Sequence, residues 1–119
     1  MALKEEVLYS KNNVLKKTFF EPMGIVLALL PWDFPVLESI NVLVPAILAG
    51  NSVLLKDNPD TPTIAEHFEK ALRESAPGVV QKFFINPMEV QKLYSKKSIN
   101  YVVFSGTYQS ALDIYYELG

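Results

Sequence analysis

The chain contains no cysteine. That excludes disulfides, thiolate-ligated metals and a cysteine nucleophile within these 119 residues. There is one histidine, His67. It lies between Glu66 and Phe68 on the flank of an apolar helical stripe, and reads as a partly solvated surface residue rather than a base or metal ligand. No sign of charge dominates: the net charge is -2, with acids and bases interleaved. The basic footprint that nucleic acid or an anionic membrane surface would require is missing. The early lysines, Lys4, Lys11, Lys16 and Lys17, are diluted by Glu5, Glu6 and Glu21 and read as a solvated face. The longest apolar stretch, residues 24–50, is cut by Pro31, Asp33, Pro35, Glu38, Asn41 and Pro45, so it is not a clean membrane span. Residues 1–10 are charged and do not read as a secretory signal. The expected compartment is the cytoplasm, and neither nucleic acid nor membrane is an expected partner. Neither G-x-G-x-x-G nor G-x-x-x-x-G-K-[ST] occurs.

What the chain does have is a stiff bend, Leu29-Leu30-Pro31-Trp32-Asp33-Phe34-Pro35, set between two apolar runs. Neither proline suits a central strand or a helix interior. Each also pushes the residue before it, Leu30 or Phe34, toward an extended conformation. The run before the bend is continuous, Ile25-Val26-Leu27-Ala28-Leu29-Leu30, as for a strand buried on both faces. The run after it, residues 36–49, is long enough for a helix and ends at Gly50-Asn51. This helix is apolar nearly all round, which predicts cover on more than one side.

The strand-then-helix pattern occurs four times. Ser52-Val53-Leu54-Leu55-Lys56 is the second strand. A helix is expected over residues 62–76, with Thr61 as N-cap and Pro62 at the first helical position. The third strand lies within residues 79–85, and Asn86-Pro87-Met88-Glu89 starts a short helix. Residues 99–104 form the fourth strand, and Ser105-Gly106-Thr107 turns into a last helix. Ahead of these units, residues 1–13 read as a short helix or tail ending in a turn at Lys11-Asn12-Asn13, and residues 14–21 as an edge strand. The expected organisation is a lead-in of helix and strand over residues 1–23 and one βα domain over residues 24–119. The expected fold is α/β: a partial Rossmann-like three-layer fold, with a mainly parallel sheet of about four strands and helices on both faces.

Parallel strands place their following turns on one edge of the sheet. Those turns carry Trp32-Asp33, Lys56-Asp57, Asn86 and Ser105-Gly106-Thr107. Helix N-termini there offer free N–H groups and a partial positive charge suited to phosphate. Asp57-Asn58-Pro59-Asp60 is assigned turn and capping duty rather than cation binding.

Several pieces together resemble the aldehyde dehydrogenase superfamily in order and spacing. They are Glu21-Pro22-Met23-Gly24, Pro31-Trp32-Asp33-Phe34-Pro35, the stretch from Pro45 through Gly50-Asn51-Ser52 to Lys56, Thr61-Pro62, Pro77-Gly78-Val79-Val80 and Phe104-Ser105-Gly106-Thr107. The resemblance covers residues 14–119 and corresponds to the first part of that family's NAD(P)-binding domain. Asn86-Pro87-Met88-Glu89 resembles the succinate-semialdehyde dehydrogenase branch. The resemblance implies chemistry in which a Cys attacks an aldehyde, hydride passes to NAD(P)+, and a Glu-activated water hydrolyses the thioester. The Cys and Glu belong to parts of the family enzymes outside these residues. Leu30 and Trp32 would line one wall of the cofactor groove. Lys56 would reach the adenosine ribose hydroxyls. Gly106 and Thr107 would face the pyrophosphate at a helix start.

The chain departs from the family pattern at chemically important positions. Asp33 stands where the family has the Asn whose amide donates to the developing oxyanion, a contact of roughly 2.7–4 kcal/mol in comparable sites. An ionised Asp33 cannot donate and would repel an oxyanion. Pro59 stands where many members have a ribose-binding Glu, and Ala111 replaces a Gly near the pyrophosphate. No catalytic residue is intact, and NAD or NADP binding is expected to be weak or absent. The expected function is an aldehyde dehydrogenase-like fragment, inactive alone. The alternatives are one chain of a split aldehyde oxidoreductase or a non-catalytic oligomerising interaction module. Exposed apolar surface predicts a homo-oligomer or a complementary dehydrogenase chain as partner.

Overall fold

Asn12 and Asn13 both adopt positive φ, 53° and 61°, and this pair folds the start of the chain into a hairpin. The computed structural model describes residues 4–118, apart from Asp57 and residues 85–88, 90–91 and 94–97. Strand β1 (Glu6–Lys11) pairs antiparallel with β2 (Val14–Thr18). Where a short helix or tail was expected over residues 1–13, residues Glu6–Lys11 therefore form a strand. A two-residue hairpin turn needs φ > 0 at both central positions, which Asn tolerates. The ladder so formed sets Lys11 opposite Val14 and Val7 opposite Lys17. A short isolated helix has no comparable partner to offset its nucleation penalty. The register shifts between Val7 and Tyr9. The salt bridge Lys17–Glu5 flanks this ribbon.

The main sheet contains β3 (Ile25–Leu29), β4 (Ser52–Lys56), β5 (Val80–Phe83) and β6 (Tyr101–Phe104) in the order β5-β4-β3-β6. All three pairings are parallel. The helices include α1 (Pro35–Leu48), α2 (Ile64–Leu72) and α3 (Tyr108–Leu118). Alternation along β3 divides the core. Val26 and Ala28 face one side, with Leu43 of α1 and Ala65 of α2. Leu27 and Leu29 face the other, with Val102 and Phe104 of β6 and Ile114 of α3. The result is an α/β fold of three layers, with α1 and α2 on one face and α3 on the other. Leu27 has no exposed surface, as expected of a strand covered on both sides.

Two elements differ from the sequence expectation. Helix α2 begins at Ile64 with Thr63 as its N-cap, and Thr63 makes no side-chain capping bond. Thr61 instead donates its N–H to the Asn58 carbonyl at 3.0 Å and bridges that residue. The tight turn uses Thr61, so the helix starts later. Helix α1 buries only Ser39 and Leu43 fully. Leu37, Ile40, Val44 and Leu48 remain exposed and recur at helical spacing, so its apolar circumference is covered on one side among the described residues. Of the helix start expected at Asn86-Pro87-Met88-Glu89, the first three residues lie outside the described residues and Glu89 is helical.

Candidate functional site at the carboxyl edge of the sheet

The chain runs outward from β3 through β4 to β5, then returns to the opposite side of β3 as β6. The connections after β3 and β6 therefore diverge onto opposite faces of the sheet, with α1 on one and α3 on the other. Such a switch leaves a crevice beyond the carboxyl ends of the two strands, the usual ligand position in open α/β sheets. The Ser105 N–H donates to the Leu29 carbonyl at 3.0 Å, so the two turns are tied together at the sheet edge.

The first turn follows from its prolines. Leu30 is half-buried and packs on the α1/α2 side of the core. Trp32, Asp33 and Phe34 form an exposed bend, and Trp32 is 59% exposed. Pro35 opens α1, where its missing N–H matters least. Ser39 Oγ donates to the Pro35 carbonyl at 2.6 Å, which satisfies a hydroxyl buried to 3% exposure. The Asp33 carboxylate has no hydrogen-bond partner among the described residues.

The second turn is built differently. Thr107 caps α3: its carbonyl accepts the Ala111 N–H at 3.0 Å and its Oγ1 accepts the Ser110 N–H at 3.3 Å. Thr107 Oγ1 also lies 2.9 Å from Ser110 Oγ. Its hydroxyl is thus engaged in helix capping, a role the sequence did not reveal. Gly106 is exposed and sits beneath the Phe104 ring.

Lys56 ends β4, half-buried. It shares with Leu30 and Pro31 a notch of ≈ 10 Å³, the space of about one water. The structure thus brings Leu30 and Lys56 to one depression. Trp32, Asp33, Gly106 and Thr107 do not line it. Asn58 Oδ1 accepts the Asp60 N–H at 3.0 Å, the turn role expected of this segment. No group of acidic, His or Cys side chains able to hold a metal occurs among the described residues.

Sequence reasoning missed two residues at the opposite edge of the sheet. Asn51, 8% exposed, accepts the Gly24 N–H at 3.0 Å and donates to the Ala46 carbonyl at 3.1 Å. Asn100 Oδ1 accepts the Ile25 N–H at 2.9 Å. Asn51 carried a helix-stop signal and a place in the family resemblance, neither of which pointed to these bonds, and Asn100 carried none.

The strand order and the parallel pairing define an α/β unit of the nucleotide-binding type. The model of the aldehyde dehydrogenase family matches residues 1–119, and the chain belongs to that family. Human retinaldehyde dehydrogenase 3 is 31% identical over 108 residues, 88% of this chain and 21% of that protein. D-glyceraldehyde dehydrogenase (NADP(+)) of Picrophilus torridus is 51% identical over 49 residues, 41% of this chain and 10% of that protein. Among solved structures, succinic semialdehyde dehydrogenase from Streptococcus pyogenes in complex with NADP+ superposes with a TM-score of 0.89 at 25% identity, covering 98% of this chain and 26% of that one. Glyceraldehyde-3-phosphate dehydrogenase GapN from Methanocaldococcus jannaschii, complexed with NADP, gives a TM-score of 0.83 at 26% identity, covering 98% of this chain and 27% of that one. The chain thus spans about a fifth of the human relative and about a quarter of these solved chains. The family uses NAD(P), and the described residues include no helix long and apolar enough to cross a membrane.

Proposed function

We propose that these residues are a dinucleotide-binding portion of an aldehyde oxidoreductase and do not oxidise an aldehyde by themselves. The observation that carries this is a family match over residues 1–119 in a chain without cysteine. The thiol that the family chemistry requires lies outside these residues. The cofactor is NAD or NADP, held weakly along Leu30, Trp32, Lys56, Gly106 and Thr107. The NADP complexes among the structural neighbours support the nucleotide class. Engagement of the Thr107 hydroxyl in capping supports weak binding. Asp33 at the oxyanion-orienting position supports inactivity, because a carboxylate accepts where the reaction needs a donor. The site of action is the cytoplasm, and the working form is an oligomer.

A second reading, one chain of a split enzyme completed by a complementary dehydrogenase chain, is favoured by the exposed stripe Leu37, Ile40, Val44 and Leu48 on α1. The stripe is apolar surface that a further layer would cover.

Calorimetric titration with NAD+ and NADP+ tests the first reading. Weak binding that is lost on Lys56→Ala, with no aldehyde oxidation, is the expected result. Aldehyde oxidation by the purified chain would overturn it. Restored turnover on mixing Asp33→Asn with a Cys-bearing dehydrogenase chain would favour the split enzyme instead.

A further inference from the structure

We propose that Phe104 is a positioning residue of the β6–α3 turn: its ring interlocks with Gly106 and sets the path along which Gly106 and Thr107 present their backbone N–H groups to a diphosphate. The ligand class rests on the cofactor reading above, while the interlock rests on geometry alone. A β-carbon on Gly106 would stand 2.6 Å from the ring Cζ and 3.3 Å from each Cε. The first distance lies below any real contact, so ring or turn would have to move. Gly106 does not adopt the left-handed backbone region. Glycine is therefore favoured here by space and not by φ, since a β-carbon would displace the tip of the Phe104 ring.

The ring is itself held. Phe104 pairs with Leu29 in the sheet and packs with the buried Leu27 and Leu29. The turn is pinned on both flanks, at Ser105 by the bond to the Leu29 carbonyl and at Thr107 by its capping of α3. Gly106 lies between them, where an added β-carbon would meet the Phe104 ring. The amides of a helix's first turn have no intrahelical acceptor, so the turn's path decides where those donors point. A tilt of the ring shifts them together.

A double-mutant cycle on the 119-residue chain tests this, using Gly106→Ala, Phe104→Leu and the double variant. Each is melted and titrated with ADP and with adenosine. Gly106→Ala is expected to lower the melting temperature and ADP affinity. The double variant is expected to melt close to Phe104→Leu alone, with a coupling of about fivefold or more in the unfolding constant. Phe104→Leu is expected to weaken ADP several-fold and leave adenosine unchanged, a split that loss of packing alone would not produce. Additive melting effects would overturn the interlock. Equal weakening of ADP and adenosine would overturn the positioning role. If the wild-type chain binds neither ligand, the cofactor reading and the positioning role both fail, and the melting cycle alone decides the interlock.

Discussion

Asn100 and Ile25 lie 75 residues apart in sequence, yet the Asn100 side-chain oxygen accepts the Ile25 N–H at 2.9 Å. The Ile25 carbonyl in turn accepts the Asn100 N–H at 2.9 Å. One residue earlier, Gly24 adopts φ 114°, and a β-carbon there would meet the same Asn100 oxygen. Gly24, Ile25 and Asn100 thus form the starting edge of the β3–β6 pair.

Removing either side of that contact should lower stability without touching the opposite edge. Asn100→Ala is expected to cost about 1 kcal/mol, the worth of a hydrogen bond. Gly24→Ala is expected to cost about 1–3 kcal/mol, because backbone strain and the steric conflict add. Urea unfolding measures both. A neutral Gly24→Ala would refute both the backbone strain and the steric conflict with Asn100.

Asn51 holds the other side of the same edge. Asn51→Leu fits a nearly buried site in size but strands the Gly24 N–H, while the Ala46 carbonyl keeps the Asn51 backbone N–H. The expected loss is about 1–3 kcal/mol, again by urea unfolding, with Asn51→Asp retaining the acceptor for Gly24 and losing less.

Glu66 links α2 to β5. Hydrogen bonds from Lys70 and Lys82, with their charges, lower its pKa from the ordinary 4.5 to about 2. The distances are 2.5 Å and 2.9 Å. A depressed carboxylate pKa stabilises the fold above the unfolded value, and this contribution fades as pH falls toward the folded value. The wild-type chain should therefore lose melting temperature more steeply than Glu66→Gln between pH 4.5 and about 2. Parallel melting curves for the two proteins would refute the assignment. The pair is solvent-accessible, so added salt should shrink the difference.

The α1 stripe should drive association. Light scattering of the wild-type chain at working concentration is expected to give more than one chain mass. Ile40→Lys with Val44→Lys is expected to lower that mass, because both side chains are exposed and neither supports the sheet. A monomeric wild type would remove the oligomer proposal.

The βα units were legible because their signals are local. The run from Ile25 to Leu30, the prolines of the bend and Gly50-Asn51 each act within a few residues. The hairpin was misread for a related reason: Asn12-Asn13 was recognised as a turn, but its two left-handed residues join strands and not a helix to a strand. Similarly, Thr61-Pro62 looked like a helix start until the backbone bond to Asn58 pre-empted it.

What the sequence determined by itself is the list of elements, the absence of a thiol and the identity of Asp33 in the Trp32–Phe34 bend. Those follow from side-chain chemistry and short-range backbone preference. Only the tertiary structure decided that β6 returns beside β3, that Asn100 closes on Ile25, and that the Phe104 ring occupies the space above Gly106. Each of these needs parallel pairing between segments distant in the chain, and that pairing is chosen by burial of both sheet faces together.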